Sequence, residues 1–328
     1  MRSPLAFIIN PVAGSSAGRR RPADLVDAIR RRCTAAGADH EVAFTERPGH
    51  GRELAGALAG RGFSPVVAWG GDGTVNEVAS ALMRRDAVLG IVPAGSGNGL
   101  ARELGISLRP EEAIDTALRG RDRVIDVGEL AGRPFVNLAG VGLPASVADL
   151  FARLARQSSP DGSAGRPTNP AGVRGVPRRR LLAGRGLAGY ALATARRLIS
   201  YRSERYTLVI EGRAVERRAL LIEVANGRQY GNGAVIAPLA RLDDGLLDLV
   251  SVDPIGRARA VRGLWRLFNG TIDRHPYVHC SRVGEVTISA DRPLLFHVDG
   301  EAVQGGCSLS AAVHPKVLRV RVPAAAGG

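Results

Sequence analysis

Residues 66–76 read VVAWGGDGTVN, and this stretch decides the fold. Its apolar start predicts a buried strand that runs directly into a glycine-rich turn, and residues 74–85 have the spacing of a helix with one apolar face. Glycines permit positive φ and close approach of the backbone, and a helix start offers free N–H groups at the positive end of its dipole. The turn therefore suits a nucleotide phosphate. Asp72 would ligate a metal ion or orient the phosphates, unless it only caps the helix.

A second loop repeats this pattern. Residues 88–106, VLGIVPAGSGNGLARELGI, again predict a strand, a glycine-rich turn and a helix. In a parallel sheet both turns emerge at the carboxyl edge, where open α/β sheets bind ligands. Ser96 and Asn98 offer a hydroxyl and an amide there.

The chain divides into two predicted domains. In residues 1–122, apolar runs alternate with amphipathic segments, which predicts a doubly wound α/β domain. Strands are expected at 5–9, 41–44, 65–69 and 88–92, and helices at 22–36, 52–60, 74–85, 100–104 and 110–119. From residue 123 to 328, period-two runs separated by glycine turns predict a mainly-β domain folded as a sandwich, with Gly212 at a hairpin.

A basic segment interrupts the β half. Residues 156–185 are rich in Gly, Pro and Ser and carry seven Arg against one Asp, which predicts a flexible insert. The following stretch, residues 186–200, has the pattern of a basic amphipathic helix. Such a helix either caps the core or lies on a membrane.

The composition excludes several classes of protein. A net charge of +14 predicts an anionic partner, which could be a membrane surface, a nucleic acid or a phosphorylated substrate, although an Arg-rich composition also fits a GC-rich genome. Lys316 is the only lysine, so neither a P-loop nor a protein-kinase site can form. Three separated cysteines and six histidines show no disulfide or metal pattern. Without a bilayer-spanning run or a signal peptide, a cytoplasmic protein with peripheral membrane contact is expected.

Four motifs carry a resemblance that covers nearly the full length. NPVAG at 10–14, GGDGTVNEV at 70–78, PAGSGNGLAR at 93–102 and VDGE at 298–301 occur in the order seen in the diacylglycerol kinase catalytic-domain family. The chain resembles the bacterial lipid kinases of that family, which are related to sphingosine and ceramide kinases. GGDGT alone is shared with NAD kinases, whereas the four motifs together are specific.

The resemblance implies an ATP-dependent lipid kinase that uses Mg²⁺ and passes the γ-phosphoryl group to the hydroxyl of a diacylglycerol-like or sphingosine-like lipid. Phosphoryl transfer requires positioned N–H groups, Mg²⁺ and a base for the hydroxyl. Asp72 is a catalytic candidate, and either Asp299 or Glu301 would be the base, although a hairpin turn explains Asp299 alone. The implied nucleotide contacts are Asn10, Thr45, Gly70, Gly71, Asp72, Gly73, Thr74, Asn76, Gly95, Ser96, Gly97 and Asn98.

A second metal site is implied at residues 240–250, ARLDDGLLDLV. There the side chain of Asp244 and the main-chain oxygens of Arg241 and Leu246 would hold a structural Mg²⁺, unless the segment is a simple DDG turn. The expected partners are a lipid substrate and an anionic membrane. With 4% aromatic residues and no binding motif we expect no nucleic acid, and the sequence is compatible with a homodimer. The rival interpretations are an NAD kinase-like enzyme and a lipid- or nucleotide-binding regulator that has lost catalysis.

Overall fold

The computed structural model describes residues 3–14, 21–157 and 201–324, and it confirms an α/β domain followed by a β-sandwich. The first part contains the strands and helices β1 Leu5–Ile9, α1 Pro22–Ala36, β2 His40–Phe44, α2 His50–Gly60, β3 Val66–Gly70, α3 Asp72–Leu82, β4 Val88–Pro93, α4 Gly99–Glu103 and α5 Pro110–Arg119.

Helix α1 shows how local sequence sets these elements. Pro22 occupies its first turn, and the Arg21 N–H donates to the Asp24 carboxylate at 3.2 Å, so the helix starts with a satisfied donor and an acidic group at its positive end. Gly37 ends the helix in the left-handed conformation, with φ of 60°. The buried face of α1 packs against the sheet.

Four parallel strands form the first part of the larger sheet, in the order β2-β1-β3-β4. Gly70, the last residue of β3, lies opposite Pro93 of β4. The two predicted glycine loops therefore leave neighbouring strands at the same carboxyl edge, as the sequence predicted.

The rest of the chain is mainly β. It contains β5 Arg121–Leu130, β6 Arg133–Phe135, β7 Leu138–Gly142, α6 Leu143–Gln157, β8 Glu204–Ile210, β9 Arg213–Ala219, β10 Leu221–Ala225, β11 Leu247–Val252, α7 Arg257–Phe268, a 3-10 turn Ile272–Arg274, β12 Val278–Val283, β13 Glu285–Ser289, β14 Leu295–Val298, β15 Glu301–Gln304 and β16 Ser308–Val322. One face of the sandwich is a six-stranded sheet in the order β12-β11-β10-β7-β14-β15. The core between the sheets includes Phe135, Ile222 and Phe296.

Strand β16 joins the two halves of the molecule. It pairs with β13 and β5 on the sandwich side and runs parallel to β4, with Arg319 opposite Val88. The larger sheet is therefore continuous, and ten of the strands in the described part of the chain belong to it. The boundary at residues 122 and 123 stays a prediction, and β5 runs across it.

Several elements differ from the sequence prediction. Helices α6 and α7 and strands β9 and β12 were not predicted, and α3 begins at Asp72 rather than Thr74 and ends at Leu82 rather than Arg85. The predicted basic insert, apart from residues 156 and 157 at the end of α6, and the predicted helix at 186–200 lie outside the described residues. Across the described part of the chain, every helix is too short or too polar to cross a bilayer.

Candidate functional site

The carboxyl edge of the parallel strands brings the predicted nucleotide contacts of four loops together. Asn10 follows β1, and its N–H donates to the Trp69 carbonyl of β3 at 2.9 Å. Thr45 follows β2 and donates its N–H to the Ile9 carbonyl at 2.9 Å. The Asn10 amide donates in turn to the Thr74 hydroxyl at 3.1 Å. Side chains that are far apart in sequence therefore line one edge.

The glycines of the first loop serve close packing rather than unusual backbone angles. None of Gly70, Gly71 and Gly73 lies in the left-handed region, so the loop does not use the positive φ that glycine permits. A Cβ at Gly70 would instead collide with the Thr74 side chain, and one at Gly95 would lie 2.6 Å from the Cα of Gly71. Because real Cβ atoms do not approach this closely, only glycine lets the two loops touch.

The first turn of α3 is open toward this edge. Its first intrahelical hydrogen bond runs from the Val75 N–H to the Gly71 carbonyl at 3.0 Å, and its N-cap residue, Gly71, has no side chain with which to cap the helix. The N–H groups that precede Val75 therefore have no acceptor within the helix. Together with the helix dipole they form a place where a phosphate or another anion binds favourably.

Asp72 has a role that neither sequence interpretation named. Its carboxylate accepts hydrogen bonds from the Asn98 N–H at 2.9 Å and the Gly99 N–H at 2.7 Å, so it caps α4. Burial raises the pKa of Asp72, as does the nearby charge of Asp299, while the N–H groups of Gly99, Asn98 and Asp72 itself favour the ionised form. Asp72 therefore fixes the second glycine loop against the first.

The second loop is consequently not equivalent to the first. Its N–H groups at the start of α4 are occupied by Asp72, and Asn98 itself adopts the left-handed conformation with φ of 51°. The Asn98 amide closes the turn by bonding the N–H and carbonyl of Gly95 at 2.9 and 2.8 Å. Ser96 is exposed at the tip of the loop. A Cβ at Gly97 would lie 2.7 Å from the Asp72 carboxylate.

Asp299 connects the sandwich to helix α3 through a side-chain hydrogen bond. It lies in the β14–β15 hairpin turn with φ of 45°, and Asn76 of α3 donates its side-chain amide to the Asp299 carboxylate at 2.8 Å. The same amide donates to the Pro134 carbonyl at 2.9 Å. The two residues therefore hold the hairpin and the β6 region against the start of α3.

The Asp299 carboxylate is saturated with donors. Besides Asn76, it accepts the backbone N–H groups of Val136, Asn137 and Leu138 at 2.9, 3.0 and 3.0 Å. Burial raises the pKa of Asp299, and the hydrogen bonds from these donors oppose that rise by favouring the ionised form. A carboxylate with four donors around its two oxygens has little capacity left for an acceptor hydroxyl.

Glu301 has a different environment. It begins β15 just after the hairpin, the residue is exposed, and its carboxylate lies 3.1 Å from the position that a Cβ would occupy on Gly73. Although the residue as a whole is exposed, desolvation of its carboxyl group beside α3 raises the pKa of Glu301, as do the charges of Glu77 and Asp299, while Arg133 and Arg52 oppose the rise. Glu301 is therefore the acid that faces the open first turn of α3.

Glu77 was not identified as a site residue from the sequence. Its two oxygens accept the N–H groups of Gly49 at 2.7 Å and Gly51 at 2.9 Å, which anchors the start of α2 to α3. The loop after Thr45 is thereby fixed beside the site. The sequence signal for this role is only that Glu77 is acidic and lies in the motif GGDGTVNEV, because its partners Gly49 and Gly51 lie far away in the sequence.

A buried pair lies behind the hairpin. The Nε2 atom of His297 is 2.9 and 3.0 Å from the two carboxylate oxygens of Glu223, across Gly140 of the strand between them. Burial lowers the pKa of His297, but the Glu223 carboxylate outweighs burial, so the net direction is upward. This pair positions the strand that leads into Asp299, and no metal or catalytic pattern in the sequence predicted it.

The predicted structural Mg²⁺ site is separate from this edge. Asp244 forms an ion pair with Arg282, and its other oxygen accepts the Leu246 N–H at 3.2 Å. Neighbouring Asp243 pairs with Arg123 at 2.8 Å. Among the described residues, no three His, Cys, Asp or Glu side chains converge as metal ligands. A guanidinium already balances the Asp244 charge, so the ion at Asp244, Arg241 and Leu246 stays a prediction.

Two family models match the chain. Residues 4–130 match the diacylglycerol kinase catalytic domain, and residues 173–322 match the YegS C-terminal NAD kinase beta sandwich-like domain. Two solved structures from Bacillus anthracis share the fold. One, described as a diacylglycerol kinase, has a TM-score of 0.68 at 16% identity and covers 98% of this chain and 97% of its own. The other has a TM-score of 0.69 at 22% identity and covers 99% of each chain.

Closer similarity comes from sequence relatives. A probable lipid kinase YegS-like from Pseudomonas aeruginosa is 32% identical over 291 residues, which is 88% of this chain and 86% of the relative. One of the same name from Chromohalobacter salexigens is 31% identical over 270 residues, 81% of this chain and 78% of the relative. With both domains and the order of motifs in agreement, the chain belongs to the YegS-like lipid kinase family.

Proposed function

We propose that the chain is an ATP-dependent kinase that transfers the γ-phosphoryl group of ATP to the hydroxyl group of a lipid, with Glu301 as the general base. The observation that carries this proposal is the position of the Glu301 carboxylate, which faces Gly73 at the open first turn of α3. An anion-binding helix start and a carboxylate with free acceptor capacity occur side by side there.

The environment of Glu301 supports proton transfer. A general base works best when its pKa lies near the operating pH, and burial together with Glu77 and Asp299 moves the pKa of Glu301 upward toward it. As the acceptor oxygen bonds to the γ-phosphorus, the bond from that phosphorus to the bridging oxygen would break, ADP would leave, and the hydroxyl proton would pass to a Glu301 oxygen. Asp299, whose four hydrogen bonds saturate it, would act as a positioning residue for the hairpin that carries Glu301.

The nucleotide would lie along the carboxyl edge. The first turn of α3 would receive phosphate oxygens, Asn10 and Thr45 would lie beside the nucleotide, and Asp72 would keep the two loops in register. Bound Mg²⁺ would neutralise phosphate charge, and it commonly reaches such sites held by the phosphates and water with one or two carboxylates. Because N–H donors already occupy Asp72, Glu77 and Asp299, the phosphates and water would supply most of the ligands, with Glu301 as the nearby carboxylate that has acceptor capacity left.

The first experiment is a direct assay. Purified protein, ATP and Mg²⁺ are incubated with a total lipid extract, and new phosphorylated lipids are identified by mass spectrometry, with NAD in a parallel reaction. We expect phosphorylated lipid in the parent and loss of at least ~10²-fold in turnover in a folded Asp72→Asn variant, since loop register and charge in a dry site contribute several kcal/mol. Phosphorylation of NAD alone would favour the NAD kinase interpretation, and no turnover would favour a regulator.

A further inference from the structure

Helix α7 exposes two large aromatic side chains on the outside of the sandwich. Trp265 is 60% exposed and Phe268 is 57% exposed. Both are at the carboxyl-terminal end of the helix. Exposed aromatic side chains that lie close together commonly mark a surface that contacts a partner or a membrane.

The same segment is strongly basic. Between Pro254 and Ile272 the sequence contains four arginines, at positions 257, 259, 262 and 266, and no acidic residue. The preceding acid, Asp253, is paired with His279 at 2.8 Å and with Arg217 at 3.6 Å. Its charge is thus already compensated. Asp273 follows the segment with a buried carboxylate oxygen, and the four arginines outnumber it, so the segment as a whole attracts anions.

A cleft of about 250 Å³ lies beside the exposed aromatics. It is lined by Arg259, Gly263, Trp265, Arg266, His275 and Pro276, and none of these described lining residues is acidic. Arg259 donates to the Tyr277 hydroxyl at 2.8 Å, and the Arg266 guanidinium lies 5.7 Å from the centre of the Trp265 ring. Two guanidinium groups that line one cleft, each in contact with an aromatic residue, are suited to bind a phosphate group.

This surface is linked to the candidate site by one short segment. The Val235 N–H donates to the Leu267 carbonyl of α7 at 2.7 Å. The same segment packs on the second glycine loop, where the Asn232 N–H donates to the Gly97 carbonyl at 3.3 Å. A membrane that contacts α7 would therefore touch an element that is joined through residues 232–235 to the second glycine loop.

We propose that α7 and its cleft form a docking surface for anionic phospholipid membranes. Trp265 and Phe268 would enter the headgroup region, and Arg259 and Arg266 would bind a lipid phosphate in the cleft. A helix with arginines beside Trp and Phe fits the interface between water and lipid, where both kinds of side chain are favoured. The idea that docking on α7 delivers the lipid acceptor rests on the proposed function, whereas the binding of α7 to membranes does not.

Trp265 supplies its own spectroscopic probe. The chain has two tryptophans, and Trp69 is only 2% exposed. A Trp69→Phe variant leaves Trp265 as the only source of tryptophan fluorescence. Vesicles of equal parts phosphatidylglycerol and phosphatidylcholine should shift its emission to shorter wavelength, and pure phosphatidylcholine should not. Added salt should reduce the shift without removing it, because salt screens the arginines but not the apolar contact of Trp265 and Phe268. Co-sedimentation without any emission change would show that another surface binds, which would overturn the proposal.

Matched variants separate this surface from the general charge of the chain. Arg259→Gln with Arg266→Gln should weaken binding to the anionic vesicles by about tenfold or more, since each arginine at a membrane surface contributes appreciably. Arg30→Gln with Arg109→Gln removes the same charge from exposed positions on the α/β domain and should change binding far less. Equal losses in the two pairs would contradict the proposal.

The apolar part has its own control. Trp265→Ser with Phe268→Ser should abolish the salt-resistant part of vesicle binding. Leu108→Ser with Val215→Ser, at positions that are 41% and 43% exposed, should leave it unchanged. The aromatic variants could instead keep vesicle binding and lose self-association or the binding of an RNA oligonucleotide. That outcome would identify a second copy of the chain or RNA as the partner and would overturn the proposal.

The kinase assay keeps the two proposals apart. Vesicle binding is measured without ATP, so it does not depend on catalysis. If the parent phosphorylates lipid, the aromatic variants should retain turnover with a short-chain acceptor dissolved as monomers and lose it with vesicles. Unchanged turnover on vesicles would contradict docking through α7. Vesicle binding through α7 without any lipid phosphorylation would contradict the proposed function alone.

Discussion

Asn76 donates its side-chain amide to the carboxylate of Asp299 at 2.8 Å, and this bond connects the first turns of α3 to the hairpin of the sandwich. The hairpin carries Glu301 two residues later. The distance of the proposed base from the open helix start therefore depends on a contact between residues of the two halves of the molecule.

Glu301→Gln should separate catalysis from stability. We expect kcat to fall by on the order of 10²-fold or more while the KM for ATP changes little, because a general base acts on the acceptor hydroxyl. A raised carboxyl pKa in the folded state means that stability falls as pH rises through the window between the unfolded and folded pKa values, so the neutral variant should melt no lower than the parent at neutral pH. Glu216→Gln, on the exposed strand β9, is the control. Wild-type kcat in Glu301→Gln would remove the base assignment.

Asp299→Asn should show the opposite pattern. An amide group would point at least one donor toward the N–H groups of residues 136–138, so we expect the free energy of unfolding to fall by about 1–3 kcal/mol for each unsatisfied donor. Chemical denaturation measures the loss. Asn76→Ala removes a single one of the four bonds and should cost less. If Asp299→Asn keeps its stability and loses kcat, Asp299 is the base instead.

The acid limb of the pH profile should respond to the charges around Glu301. Because activity requires the ionised base, kcat/KM should rise with pH, and the midpoint should lie above the ordinary Glu value of about 4.3. Arg133 holds the pKa down, so Arg133→Gln should move the limb to higher pH. Arg213→Gln on β9 should leave it in place. A limb that moves to lower pH in Arg133→Gln would show that another group controls the profile.

Gly95→Ala tests the contact between the two glycine loops. The new Cβ would meet the Cα of Gly71 at 2.6 Å and would force the loops apart, so we expect ATP affinity to fall by at least ~10-fold as measured by calorimetry. Gly56→Ala in α2 adds a Cβ with no atom within 4 Å and should stabilise the helix by about 0.5–1 kcal/mol. Undiminished affinity in Gly95→Ala would mean that the nucleotide does not use this cradle.

The Asp244 turn can be examined by thermal unfolding in Mg²⁺. If the predicted ion binds, Mg²⁺ should raise the melting temperature of the parent but not of Asp244→Asn, since a metal that binds only the folded state stabilises it. Arg282→Gln should enlarge the rise because it removes the competing guanidinium. Asp243→Asn, whose carboxylate pairs with Arg123, serves as the control. The turn holds no ion if the parent shows no rise.

The sequence predicted the α/β half well because local signals agree there. The bounds of α1 and α5 match those predicted, since Pro22 and Pro110 mark their starts and Gly37 and Gly120 follow their ends. Strand β9, RAVERRA, carries no alternating pattern and exists because β8 pairs with it through the Gly212 turn. Helix α7, RARAVRGLWRLF, was missed because it is short and lies between strands in a half of the chain that reads as β.

The sequence predicted which residues line the candidate site, but it did not predict what each side chain does there. Motif residues do gather at one edge, yet the side-chain partners of Asp72, Glu77 and Asp299 come from other loops. Which oxygens are saturated depends on that long-range pairing, and no spacing in the sequence encodes it. Three acids that look equally suited to ligation or catalysis are in the structure largely occupied by backbone donors.

Strand β16, near the end of the described chain, pairs with β4 of the α/β half, so the sheet can be completed only late in synthesis. Until β16 has left the ribosome, β4 is an edge strand with unpaired N–H and carbonyl groups beside a buried apolar face. Such an edge invites pairing with other chains, and long-range closure is slow. We expect nascent chains to depend on chaperones more than the stability of the finished fold would indicate, and a separately expressed α/β half to aggregate.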